Sequence, residues 1–322
     1  MNGEAALRAP FPYFGGKRRA ASLVWAALGN VDHYVEPFCG SAAVLLARPH
    51  VGRCETINDA DGMVSNFWRA VRSAPDAVAA HCDWPVAEAD LHARHLWLMG
   101  QRESLTERLI ADPEWFDAKA AGWWVWGACA WIGDGWCDAK PSRKLPHLGD
   151  EGRGVHAPRR GAAFADEVVA HATTAEWFRA LSERLRAVRV ASGDWRRVVA
   201  SAATLWPSSL PARAVCGVML DPPYAEGRMD YAAGGMGSSV SADARAWAIE
   251  HGNDPRLRIV LCGYEWEHAM PAGWRIVAWK AKGGYARASG NENAARERLW
   301  LSPHCVEQPP KQRSLFDIGG AR

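Results

Sequence analysis

The stretch Val31-Asp32-His33-Tyr34-Val35-Glu36-Pro37-Phe38-Cys39-Gly40-Ser41 reads as a strand, Val31–Glu36, that runs into a small glycine-containing loop and then into a helical run, Ala42–Ala47. A second strand signal, Cys54–Asn58, follows and ends at the acidic Asp59 and Asp61, with a helix-like pattern over Met63–Val71. Strand, loop, helix, strand and acid, in that order, open a doubly wound nucleotide-binding α/β fold. Gly40 lets a ligand approach the backbone closely. The loop is not G-x-G-x-x-G and no Walker lysine follows it, so the pocket suits an adenosine-bearing cofactor without a pyrophosphate. Asp59 is placed to accept hydrogen bonds from ribose hydroxyls. A bare glycine turn is the alternative reading of this loop taken alone.

Downstream, the pattern changes. From Pro75 to about Ala187 the chain shows amphipathic helical stretches, Leu91–Met99 and Glu176–Val188, around a Trp-rich centre. Strand signals return at Val188–Ser192, Ala214–Leu220, Arg258–Cys262, Trp274–Trp279 and Arg298–Ser302. The simplest division is one sheet interrupted by an insertion. Residues 1–74 carry the N-terminal part of the core, 75–187 a mainly helical insertion, 188–305 the rest of the core, and 306–322 a flexible tail.

Asp221-Pro222-Pro223-Tyr224 follows the apolar run Val215–Leu220 directly. A strand ending in an acid and two prolines presents a carboxylate and a rigid turn at the sheet's C-terminal edge, where doubly wound folds bind ligands. The prolines donate no N–H and fix φ, which holds the Pro222 carbonyl outward. Two acceptors, the Asp221 carboxylate and the Pro222 carbonyl, match the two hydrogens of an aromatic amine whose lone pair must be drawn out of its ring. Tyr224 would stack on a base flipped from the duplex. The plain alternative is a strand-end turn with an incidental tyrosine. Nearer the N-terminus, Tyr13-Phe14-Gly15-Gly16-Lys17 precedes a helical run, Arg18–Leu28. Backbone amides and an ammonium there could meet a carboxylate; a solvated lysine at an ordinary helix start is the alternative.

Composition bounds these readings. Hydrophobic residues make up 48% and charged residues 23% of the 322, as in a soluble globular protein. No apolar run approaches the roughly 20 residues that span a bilayer. The first residues, with Glu4 and Arg8, lack the apolar core of a signal peptide, so a cytoplasmic location is expected. A net charge of +2 disfavours a nonspecific nucleic-acid coat but allows a local basic cleft. The 8 cysteines are scattered without a Cys-x-x-Cys pair, which predicts buried reduced thiols and no metal site.

In order, these blocks resemble the Dam-like DNA adenine-N6 methyltransferases, particularly the prophage-encoded branch. The likeness runs through YFGGK, EPFCGSAAVLL, INDADG and SGDW (Ser192–Trp195), and resumes at DPPY and ERLWLSP (Glu297–Pro303). Cofactor motifs preceding DPPY, with a variable region between, is the order of the family's alpha group, in which that region carries target recognition. The resemblance implies a Rossmann-like methyltransferase sheet with S-adenosylmethionine as cofactor and double-stranded DNA as substrate. It places Tyr13, Phe14, Gly16 and Lys17 over the cofactor's methionine and adenosine ends, Glu36, Pro37, Phe38 and Gly40 in the loop beneath, and Asp59 on the ribose. Asp194 and Trp195 match the acid–aromatic pair beside the cofactor adenine, with Trp195 in place of phenylalanine. Asp221, Pro222, Pro223 and Tyr224 are the implied catalytic set, and no general base is needed because the amine proton can leave to solvent. One departure is that Ser41-Ala42 follows Gly40, where the family more often reads F-x-G-x-G or G-A-G. Cytosine-N4 methylation and an inactive DNA-binding relative stay open as alternatives.

The middle segment bears on DNA. Of 18 tryptophans, Trp123, Trp124, Trp126, Trp131 and Trp136 crowd Gly122–Cys137, which reads either as the aromatic core of a helical region or as wedges that stack on DNA. Lys140, Arg143, Lys144, Arg159 and Arg160 lie in a Gly- and Pro-containing loop suited to phosphate contacts, or simply solvated. Tyr231, in the Gly-rich stretch Ala225–Ser239, is a candidate for filling the gap a flipped base leaves. Gln312-Arg313-Ser314-Leu315-Phe316 is similar to the peptides that dock on bacterial sliding clamps, although a disordered tail reads equally well. The chain is expected to be a monomer.

Overall fold

The computed structural model describes residues 7–13, 16–50, 52–131, 136–137, 173–224, 237–279 and 296–307. Its centre is a seven-stranded sheet built from β1 (His33–Glu36), β2 (Cys54–Asp59), β3 (Val188–Ser192), β4 (Cys216–Leu220), β5 (Leu257–Tyr264), β6 (Arg275–Ala278) and β7 (Glu297–Leu301). The strand order is β3-β2-β1-β4-β5-β7-β6. β1 pairs parallel with β2 and β4, β3 with β2, and β5 with β4, while β7 runs antiparallel between β5 and β6. The order reverses between β1 and β4. Their C-terminal ends, Glu36 and Leu220, are therefore the topological switch point at which such sheets bind ligands.

Alternation along the strands sorts side chains to two faces. Tyr34, Ile57, Met219, Val260 and Leu299 join one core, packed under α1 (Ala21–Leu28), α2 (Ala43–Leu46) and α3 (Gly62–Ser73). Val35, Val218, Leu220, Ile259, Leu261 and Trp300 join the other, with Trp195 and with Ala244 and Ala248 of α9 (Gly237–His251). Burial on both faces explains why these strands read as short apolar runs. The sheet is thus doubly wound and Rossmann-like.

Between α3 and β3 lie α4 (Pro75–Ala80), α5 (Glu88–Ala111), α6 (Ala118–Ala130) and α7 (Thr174–Leu185). Capping starts several helices: the Asp61 side chain accepts from the Met63 N–H, Asp117 from Ala120 and Thr173 from Glu176. Phe67 and Trp68 of α3 share one core with Val78, Leu91, Leu98, Trp124, Val125, Trp126, Phe178 and Leu181, so these helices form a layer upon α3. Arg69 secures the end of α5 by donating to the carbonyls of Leu109, Asp112 and Trp115 at 3.0–3.1 Å. A short α8 (Ala202–Leu205) precedes β4. Several sequence boundaries move: α1 starts at Ala21 rather than Arg18, α5 extends far beyond Leu91–Met99, and α9 takes over the last residues of the stretch Ala225–Ser239. All 8 cysteines are buried thiols outside disulfides.

The tryptophan cluster falls to the packing reading. Trp124 and Trp126 are buried, and the Trp126 indole donates to the Trp84 carbonyl at 2.8 Å. Trp136 donates to the Trp124 carbonyl at 2.9 Å, and Trp131 stacks on His95. Phe14, Lys140, Arg143, Lys144, Arg159, Arg160, Tyr231 and Gln312–Phe316 lie outside the described residues.

Candidate active site

The C-terminal ends of β1, β2 and β3 are stitched together by one side chain. Asn58, buried near the end of β2, donates from Nδ2 to the Pro37 carbonyl at 3.0 Å and to the Gly193 carbonyl at 2.9 Å. The Cys39 N–H returns to the Asn58 carbonyl, and the Gly193 N–H to the Asp59 carbonyl. The Pro37–Ser41 loop and the turn after β3 are therefore held side by side, and Phe38 lies against Trp195 with ring centroids 5.6 Å apart.

Within the Pro37–Ser41 loop the backbone turns left-handed at Gly40, φ +44°, and it does so again just past the loop at Ala42, φ +49°, before α2. Asp59 Oδ2 accepts the Gly40 N–H at 2.9 Å, Oδ1 accepts the Asp61 N–H at 2.9 Å, and the Trp68 indole donates to the Gly40 carbonyl at 2.8 Å. Burial raises the Asp59 pKa to about 7, with these N–H donors pulling the other way. Glu36 is buried beneath the loop and accepts the Leu45 N–H at 3.3 Å; burial lifts its carboxyl to about 8.

The N-terminal segment crosses this loop. Tyr13 lies on Gly40, and the Gly16 N–H closes a turn onto the Tyr13 carbonyl at 3.1 Å. That turn delivers Lys17, only 4% exposed, to the end of β4. Its Nζ lies 3.0 Å from Asp221 Oδ1 and 3.5 Å from Glu297 Oε2. The Tyr224 hydroxyl is within donor reach of the same two oxygens, at 3.2 and 3.4 Å. Burial opposes the Lys17 charge, but the two carboxylates outweigh it and hold the pKa above the usual amine value. Burial pushes Asp221 and Glu297 up, each partly offset by Lys17. Lys17 also faces the rings of Tyr224 and Trp279, and Tyr264 meets Tyr224 edge-on at 4.8 Å.

The fold thus gathers Tyr13, Gly16, Lys17, Glu36, Pro37, Phe38, Gly40, Asp59, Asp221 and Tyr224 around the ends of β1, β2 and β4, with Trp195 beside Phe38. Asp194 sits apart. Its half-exposed carboxylate accepts the Arg196 N–H at 2.8 Å and pairs with the Arg196 guanidinium at the surface. Asn58, Trp68, Trp279 and Glu297 were not singled out by the sequence reading. Glu297 alone had a visible signal, since an acid opening the apolar strand ERLWL is out of place unless a cation meets it.

Residues 13–87, from Tyr13 through the loop and Asp59, match the family model for D12 class N6 adenine-specific DNA methyltransferases. No curated protein matches the chain.

Proposed function

We propose, for a chain whose residues 13–87 match the D12 class N6 adenine-specific DNA methyltransferases, that the methyl group passes from S-adenosylmethionine to N6 of an adenine flipped out of duplex DNA. The observation that carries this reading is the pairing of Asp221 with Lys17 at the switch point, beside a loop whose Gly40 packs directly against the Tyr13 ring. The residues fit the cofactor: a Cβ at position 40 would strike Tyr13, so the cradle needs glycine, and Asp59 holds that loop while keeping lone pairs for a ribose. S-adenosylmethionine supplies an electrophilic methyl on a sulfonium centre. Tyr13, Gly16, Phe38, Gly40, Asp59 and Trp195 would hold it, with Glu36 and Pro37 shaping the loop.

Asp221 and the Pro222 carbonyl accept the two N6 hydrogens, which localises the lone pair on nitrogen and stabilises the positive charge that develops there. Tyr224 offers its ring to the base, and Pro223 keeps the turn rigid. The proton leaves to solvent after transfer. The adenine-specific family match sets aside the cytosine-N4 alternative. Target recognition is assigned to the segment 75–187, through Lys140, Arg143, Lys144, Arg159 and Arg160, with Tyr231 filling the vacated stack. Docking of Gln312–Phe316 on a sliding clamp, a monomeric state and a cytoplasmic location complete the reading. Among the described residues no helix is long and apolar enough to cross a membrane.

Modification-sensitive sequencing of DNA from cells expressing the protein tests this. N6-methyladenine at a defined sequence is expected with the wild type and not with Asp221→Ala. Equal methylation by that variant would overturn the catalytic assignment.

A further inference from the structure

We propose that Glu297 is a positioning residue for methyl transfer: it shares the Lys17 ammonium with Asp221, so that Lys17 does not fully neutralise the Asp221 carboxylate and its Oδ2 is left for the substrate amine. The inference rests on the adenine-methylation reading above and adds to it a residue contributed by the antiparallel strand β7.

The geometry is a ring of four groups. Lys17 Nζ and the Tyr224 hydroxyl are the donors; Asp221 Oδ1 and Glu297 Oε2 are the acceptors, with every donor–acceptor separation between 3.0 and 3.5 Å. Both contacts to Asp221 fall on Oδ1, and among the described residues no donor is recorded on Oδ2. The Asp221 side chain is also the more accessible of the two carboxylates, 21% exposed against 9% for Glu297. The two acids are therefore not equivalent: Asp221 is the more accessible and has its contacts on one oxygen, whereas Glu297 is enclosed against Lys17 and Tyr224.

The charge count explains why a second acid belongs there. Lys17 with Asp221 alone would be a closed ion pair, and a carboxylate neutralised by a buried ammonium is a poor acceptor for an amine acquiring positive charge. Adding Glu297 leaves the ring with one excess negative charge, and that charge can be expressed at Asp221 when the amine arrives. Other ionisable groups facing it are Cys262 and Tyr264 of β5, Glu267 just after β5, and Glu36 of β1. None of these donates to or accepts from Glu297 in the described contacts.

The test uses the full-length chain with Glu297→Gln, which keeps the shape and the acceptor oxygen and removes the charge. The expected single-turnover methylation rate falls at least tenfold, with DNA affinity and thermal midpoint close to wild type. The like charge facing Asp221 is gone, so Asp221 should ionise at lower pH. The acidic limb of the rate profile then moves down, as does the titration of the Asp221 carboxyl carbon followed by NMR in the cofactor-free protein. Glu297→Asp, which keeps the charge on a shorter arm, should restore much of the rate and return both titrations upward. A Glu297→Gln protein that methylates at the wild-type rate, or whose rate falls with both titrations unmoved, overturns the proposal. So does loss of folding in Glu297→Gln together with a Glu297→Asp protein whose Asp221 titration and rate show no dependence on the acid. A wild type that methylates no adenine would sink the underlying reading itself, so the two failures are distinguishable.

Discussion

The Tyr13 ring lies so close to Gly40 that a Cβ on residue 40 would fall 2.4 Å from its Cε1. That contact ties the N-terminal segment to the loop after β1, and it is possible only because residue 40 has no side chain. Gly40→Ala must either displace Tyr13 or move a backbone that also sits at positive φ, where alanine is strained by ~1–2 kcal/mol. The expected outcome is a loss of S-adenosylmethionine affinity of at least tenfold in calorimetry, with a lowered thermal midpoint. Unchanged affinity would show that the loop does not hold the cofactor.

Ala42 has the opposite problem. It is fully buried and left-handed, φ +49°, at the position where the family pattern F-x-G-x-G has its second glycine. Ala42→Gly should relieve part of that strain, and the gain is limited by the greater entropy of glycine in the unfolded chain. A net stabilisation of up to ~1 kcal/mol is expected in urea unfolding. A destabilised variant would mean that the Ala42 methyl group contributes more by packing than its backbone costs.

Glu36 titrates near 8 in the folded protein, well above an ordinary carboxylate, because it is buried. The folded state therefore binds this proton more tightly than the unfolded chain does. Stability from this group is full where both states are protonated, falls as pH rises through the ordinary carboxylate range toward 8, and levels beyond. Glu36→Gln should remove that slope, which is at most ~1.4 kcal/mol per pH unit. Unfolding midpoints at pH 5 and pH 8.5 measure it, and a wild-type-to-variant difference that does not change with pH would contradict the assignment. Asp59, near 7, works on function instead: protonation weakens its hold on the Gly40 N–H, so cofactor affinity should decline as pH falls below about 7.

The basic residues between Lys140 and Arg160 are proposed to contact DNA. If Arg159 or Arg160 meets a phosphate, replacement by alanine should weaken all sequences about equally and lower the salt slope of binding by about one. A base contact would instead relax preference at one position by ~1–3 kcal/mol. Replacement of the whole stretch by a neutral linker, with affinity, salt dependence and methylated sequence all retained, would refute the recognition role.

Local signals were enough for the doubly wound core. Short apolar runs, the small loop at Gly40 and the acids that close β2 and β4 are properties of neighbouring residues, so the Asp59 and Asp221 ends of the sheet were legible in the chain itself. The departure at Ala42 was legible too, although its meaning, a left-handed alanine, required a dihedral angle. The tertiary structure decided what depends on residues far apart in sequence. Whether Trp124 and Trp126 face DNA or a core depends on α3 and on Trp84, which no window around them contains. The partnership of Lys17, Asp221 and Glu297 spans nearly the whole chain, and it exists because β7 enters the sheet antiparallel beside β5, bringing the N-terminal end of β7, Glu297, to the same edge as the C-terminal end of β4. A buried charge announces that it needs a counter-charge; only the strand order says which one it meets.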